Sequence, residues 1–214
     1  RSRPVVNPPR PKVPRTPPSD LVHEPGDILI VRPLLWRIHR TQGSHVLPWN
    51  QVRRFGPIPT MRYDPQPEPA APSVEGVLYT ATSLATALAE IFQATRAIDS
   101  RSFGPQATAW TPTRDLRLLD LTGGWALRNG AAFALATAPK STCRAWARQI
   151  RATWPDLDGL WAPSTMTGGT NVVLWNPART SLPAAPDFSR PLAEPTLRAI
   201  VGRVAQQELG YRLI

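Results

Sequence analysis

Apolar residues recur at helical spacing from Leu84 to Phe92: Leu84, Ala87, Leu88, Ile91 and Phe92 form one stripe. Thr82 or Ser83 stands where a helix cap is wanted. At about 100° per residue, Glu90 falls on the flank of that stripe. Its lane neighbours Thr86, Ala87 and Ala94 are small, so the carboxylate can look into a cleft. Strand-like runs occur at 27–31, 34–40, 76–81, 115–121, 157–163 and 170–175. In the second run Leu35, Arg37 and His39 share one face, and Trp36, Ile38 and Arg40 the other. Helical patterns also cover 126–138, weakened by Gly130, the basic amphipathic stretch 141–154, and 196–208. No regular βαβ succession is visible. The pattern predicts an α+β fold with a mixed, mainly antiparallel sheet and flanking helices.

Composition sharpens this picture in three places. Residues 1–18 hold seven prolines, five basic residues and no acidic one, which predicts an extended, solvated arm. The expected division is therefore an arm over 1–20 and one globular domain over 21–214. The net charge of +10 favours anionic partners, and most of the arginines are read as surface charge. Cys143 is the one cysteine, so no intrachain disulfide can form. It is expected on a buried helix face with Trp146 and Ile150. Three dispersed histidines and no Cys/His cluster argue against a metal site. No apolar run reaches membrane-spanning length, and no signal peptide is visible. The chain begins with Arg1 and not Met, which leaves a removed segment or a larger secreted parent open.

Several short motifs stand in one order: Trp36-Arg37-Ile38, Phe55-Gly56-Pro57, Arg62-Tyr63-Asp64-Pro65, Tyr79, Glu90 eleven residues later, Pro163-Ser164, Gly168-Gly169, and Asn171-Val172-Val173-Leu174. Each alone is weak. Together, from Leu34 to Trp175, they resemble the RES family, named for its arginine, glutamate and serine. The chain departs from many relatives in having Met61-Arg62-Tyr63-Asp64 where they have Gly-Arg-Trp-Asn, and in a longer proline-rich lead-in.

The resemblance implies an ADP-ribosyltransferase-like fold. It also implies an NAD+-degrading toxin that breaks the nicotinamide–ribose bond, with water or phosphate as acceptor, and a neutralising partner. The chemistry suits the residues. Nicotinamide leaves as a neutral molecule from a cationic pyridinium, and the oxocarbenium-like ribose left behind is stabilised by a nearby carboxylate, for which Glu90 is the candidate. Arg62 suits a pyrophosphate. Tyr79 offers a ring to stack on nicotinamide. Ser164 offers a hydroxyl to phosphate or ribose. Arg37 is read as a second phosphate ligand, His39 as a structural histidine, and Asn171 as closing a turn or as a weaker ligand. No cofactor beyond NAD+ as substrate is expected. An inhibitory antitoxin or immunity protein with an acidic surface is the expected partner, and the cytoplasm the expected site of action. Two alternatives stay open: an ADP-ribosyltransferase acting on a macromolecule, and a basic nucleic-acid- or partner-binding module. The arm lacks interleaved aromatics, so direct nucleic-acid binding ranks low.

Overall fold

A computed structural model describes residues 11–214; the first ten residues of the arm lie outside the described residues. The strands are β1 (Ile28–Val31), β2 (Leu35–Arg40), β3 (Arg53–Gly56), β4 (Ala71–Ala81), β5 (Ala97–Ile98), β6 (Pro105–Trp110), β7 (Leu116–Asp120), β8 (Gly159–Pro163), β9 (Thr170–Trp175), β10 (Phe188–Pro191) and β11 (Arg212–Leu213). The helices are α1 (Leu84–Ile91), α2 (Trp125–Arg128), α3 (Lys140–Thr153) and α4 (Pro195–Val204). The large sheet runs β1-β7-β8-β9-β4-β2-β6-β10, with β3 also on β4. Its pairs are antiparallel except β7 with β8, and β5 and β11 form a small parallel pair. The α+β expectation holds, and with it the mainly antiparallel sheet with flanking helices.

One join in this sheet differs from the others. β4 pairs with β9 over five residues, from Val77↔Trp175 to Ala81↔Asn171. β2 pairs with β6 over six. Between β2 and β4 there is a single pair, Trp36↔Ala81. The two halves diverge from that point, and side chains that would cover each other in a continuous sheet face open space instead.

Three apolar clusters hold the layers. On one side Trp125, Trp146 and Trp175 pack with Leu160, Val173 and Cys143, all fully buried, beneath α3. The rings of Trp125 and Trp146 meet edge to face at 5.9 Å. On another, Ile38, Ala81 and Leu88 join Leu192 and Val201, packing α1 and α4 against β2. A third cluster gathers Leu35, Trp110, Leu118 and Leu174. Gly159 (φ 155°) starts β8 against the β9 backbone; a Cβ there would come within 1.9 Å of the Val173 carbonyl oxygen.

The sequence pattern foresaw most of the long elements, and 126–138 less well. That stretch is a four-residue helix and a 3-10 turn over Phe133–Thr137, broken at Gly130 (φ 75°). The arm also differs from expectation in its described part. Val13 packs against the tryptophan cluster. Trp146 Nε1 donates to the Pro14 carbonyl at 2.9 Å, and Gln149 Nε2 to that of Ser19 at 3.2 Å. A buried indole N–H needs an acceptor, and the extended proline-rich backbone has free carbonyls to give. Deleting residues 1–18 should therefore lower the melting temperature by about 4–8 °C, the effect of re-exposing a partly buried valine and orphaning one indole N–H. A thermal scan showing no shift would contradict this packing.

Candidate functional site

The divergence of β2 and β4 opens a cavity of about 500 Å³, well within the range of small-molecule sites. β2 supplies Trp36, Arg37 and Ile38; β4 supplies Tyr79, Thr80 and Ala81; β9 supplies Asn171 and Val173. The loop before β4 adds 60–63, α1 adds Glu90 and its neighbours, and Lys140 stands at the start of α3. Three cations and one carboxylate share this wall. That balance suits a ligand bearing more than one negative charge.

Local structure fixes the carboxylate. Ser83 Oγ caps α1 by accepting from Thr86 N at 3.1 Å. Thr82 N bonds to the Thr170 carbonyl, and Thr86 Oγ1 meets Thr167 Oγ1 at 2.9 Å. The helix start is thereby tied to the β8–β9 turn. That turn is closed by Ser164 N to the Gly169 carbonyl at 2.7 Å. From it Ser164 Oγ donates to Glu90 Oε1 at 2.7 Å, and from β9 Asn171 Nδ2 donates to the same oxygen, also at 2.7 Å. Ser164 Oγ in turn accepts from the Met166 and Thr167 amides. Both side-chain donors converge on Oε1, and Oε2 accepts nothing among the described residues. Ala87 and Ala94, the small lane neighbours of Glu90, line the same cavity.

The cations differ in their surroundings. Arg37 is half-buried, and its NH1 donates to the carbonyls of Pro48 at 3.0 Å and Trp49 at 2.6 Å. No carboxylate among the described residues pairs with it, and burial lowers its pKa to about 10. A desolvated guanidinium in that state gains from an arriving anion. Arg62 NH1 donates to the Ala138 carbonyl at 2.6 Å and lies 3.5 Å from Cys143 Sγ. Cys143 is buried on α3, as expected, and burial raises its pKa, so it is a packed thiol and not a thiolate.

Tyr79 is held from both sides of its hydroxyl. The oxygen accepts from Tyr63 N at 2.9 Å, and the proton goes to Asp64 Oδ1 at 2.8 Å. Burial and then the Asp64 charge push its ionisation well above the usual range. His39 Nε2 bonds to Thr108 Oγ1 at 2.9 Å, away from the cavity lining. Burial, followed by the charge of Arg37, lowers its pKa to about 4. A neutral, hydrogen-bonded histidine matches the structural role expected of it.

The structure thus gathers Glu90, Arg62, Tyr79, Arg37, Asn171 and Ser164 around one cleft. Two placements differ from the sequence expectation. Ser164 is not among the lining residues and spends its proton on Glu90 instead of offering it to a ligand. Asn171 reaches Glu90 as well as flanking the turn. Arg53 and Lys140 had no sequence signal. Asp64 did, since it sits in the Arg62-Tyr63-Asp64-Pro65 motif, yet the motif alone does not reveal its burial.

With this geometry in hand the comparisons are direct. The family model described as RES domain matches residues 34–193, and the chain belongs to the RES-domain family. The chain is also similar to a chain in the crystal structure of the M. tuberculosis MbcT–MbcA toxin–antitoxin complex. The TM-score is 0.55 at 20% identity, over 80% of this chain and 92% of that one, a likeness of fold. No curated protein matches.

The Ser164–Glu90 contact has an energetic signature. In urea unfolding, a cycle of Ser164→Ala and Glu90→Ala should show a coupling of about 0.5–2 kcal/mol, as for a partly buried hydrogen bond to a charged group. Additive effects would mean that the hydroxyl does not bond the carboxylate.

Proposed function

We propose that this RES-family protein is a toxin that binds NAD+ in the cleft between β2 and β4 and breaks its nicotinamide–ribose bond, with water or phosphate as acceptor. The observation that carries the reading is the fixed Glu90 carboxylate, with Oε1 committed to Ser164 and Asn171 and Oε2 left for a ligand. Departure of neutral nicotinamide leaves positive charge on the ribose. A carboxylate held rigidly beside it stabilises that charge without having to reorganise. Arg37, Arg62 and Lys140 suit the diphosphate by charge, with the guanidinium fork favouring bidentate contact. Tyr79 contributes its ring face to the nicotinamide, since its hydroxyl is already engaged.

The fold likeness to a chain of a toxin–antitoxin complex adds weight to a neutralising protein partner. For a chain with net charge +10 such a partner is expected to present an acidic surface, which speeds encounter. No helix among the described residues is long and apolar enough to cross a membrane. A cytoplasmic site of action follows from the proposed substrate.

Purified protein should release nicotinamide from NAD+. Glu90→Gln, matched in shape, should cut turnover by about 100-fold or more while NAD+ affinity changes less. Turnover like wild type in the folded variant removes Glu90 from the chemistry. Transfer of the ADP-ribosyl group to protein or nucleic acid would place the activity among macromolecular ADP-ribosyltransferases.

A further inference from the structure

Behind the cleft wall lies a buried polar cluster that reaches the lining only through Tyr79 and Tyr63. Asp64 is fully buried. Arg53 NH2 donates to both of its oxygens, at 2.7 and 2.8 Å. Ile58 N donates to Oδ2 at 2.7 Å, and the Tyr79 hydroxyl to Oδ1 at 2.8 Å. Because Tyr63 N donates to that hydroxyl in turn, the contacts close a circuit through β3, the loop 58–64 and β4. Gln66, also fully buried, donates to the Arg53 carbonyl at 3.1 Å. Gly56 leaves the room: a Cβ there would stand 2.8 Å from Arg53 NH1 and 2.9 Å from Gln66 Oε1.

We propose that Asp64, paired with Arg53, is the positioning residue of the cleft, fixing the Tyr79 ring and the loop that carries Arg62 and Tyr63. A carboxylate buried without a cation is costly and takes up a proton or water. Paired with Arg53, it accepts four hydrogen bonds and stays an acceptor on both oxygens. Two of those bonds hold the loop and the phenol. Removing Arg53 therefore loosens two elements it does not itself touch in the cleft. Asp64 acts through Tyr79 and the loop, and neither Asp64 nor Arg53 is among the lining residues. The kinetic part of this inference rests on the proposed NAD+ reading; the structural part does not.

The test uses hydrogen exchange and kinetics on the same variants. In Arg53→Met the Ile58 and Tyr63 amides should exchange about tenfold faster or more, while α3 and α4 stay protected. The KM for NAD+ should rise about tenfold, with a smaller fall in kcat. In Arg53→Met/Asp64→Asn both should recover in part, because the one amide oxygen still accepts without needing a cation, in place of one of the two carboxylate oxygens. Asp64→Asn alone, read the same way, serves if the first variant does not fold; with Arg53 left unpaired it should loosen the same amides. Amides as slow as wild type in the single variants overturn the proposal, as does an unchanged KM once they have loosened. If wild type leaves NAD+ intact, the functional reading fails, and the exchange data still decide the positioning.

Discussion

Everything functional about this molecule hangs on the single residue pair between β2 and β4. A sheet with full pairing there would bury Trp36, Arg37 and Tyr79 against neighbours. One pair holds the two halves together and leaves the rest to splay. The long pairings on either side, β2 with β6 and β4 with β9, keep each half rigid. The cleft is therefore a gap between stiff strands, flanked by the loop 60–63. Stiff walls are what electrostatic stabilisation of a transient charge requires, because side chains that must rearrange lose most of the benefit.

The price of such a gap is exposed polar backbone and unshielded charge, and buried ion pairs steady the surroundings. Asp64 with Arg53 anchors the loop beside β4. Far from the cleft, fully buried Asp158 accepts from both terminal nitrogens of Arg114 at 2.7 Å and from the Arg117 amide at 2.9 Å, tying the start of β7 to the end of the α3–β8 connection. By contrast, Arg37, Arg62 and Lys140 have no carboxylate partner among the described residues. Asp64 and Asp158 thus pair the arginines that anchor these connections, while the three cations of the cleft lining stand without a carboxylate.

The sequence disclosed the fold class, the carboxylate and its helix through local signals. Glu90 was legible because small residues flank it on an otherwise apolar helix, and Ser83 because a cap has a short-range signature. The strands β3, β5, β6 and β10 were not, since their pairing depends on partners far along the chain. Ile91 was read as part of the buried stripe, yet it is about half exposed (54%) at the edge of the cleft, where α1 has no neighbour to cover it. The partners of Ser164 could not be foreseen either. The turn that aims its hydroxyl at Glu90 is fixed by contacts to α1 some 80 residues earlier. The packed arm was missed because proline-rich composition says nothing about an indole waiting for an acceptor.

The proposed mode of binding lays NAD+ across the cleft with its nicotinamide ribose at Glu90. A crystal structure of the Glu90→Gln variant with NAD+ tests it most directly. The expected result is a ribose hydroxyl within hydrogen-bonding distance of the residue-90 side chain, the nicotinamide against the Tyr79 ring, and the diphosphate on Arg37 or Arg62. A dinucleotide bound elsewhere on the surface, with the β2–β4 cleft empty at saturating NAD+, would contradict it.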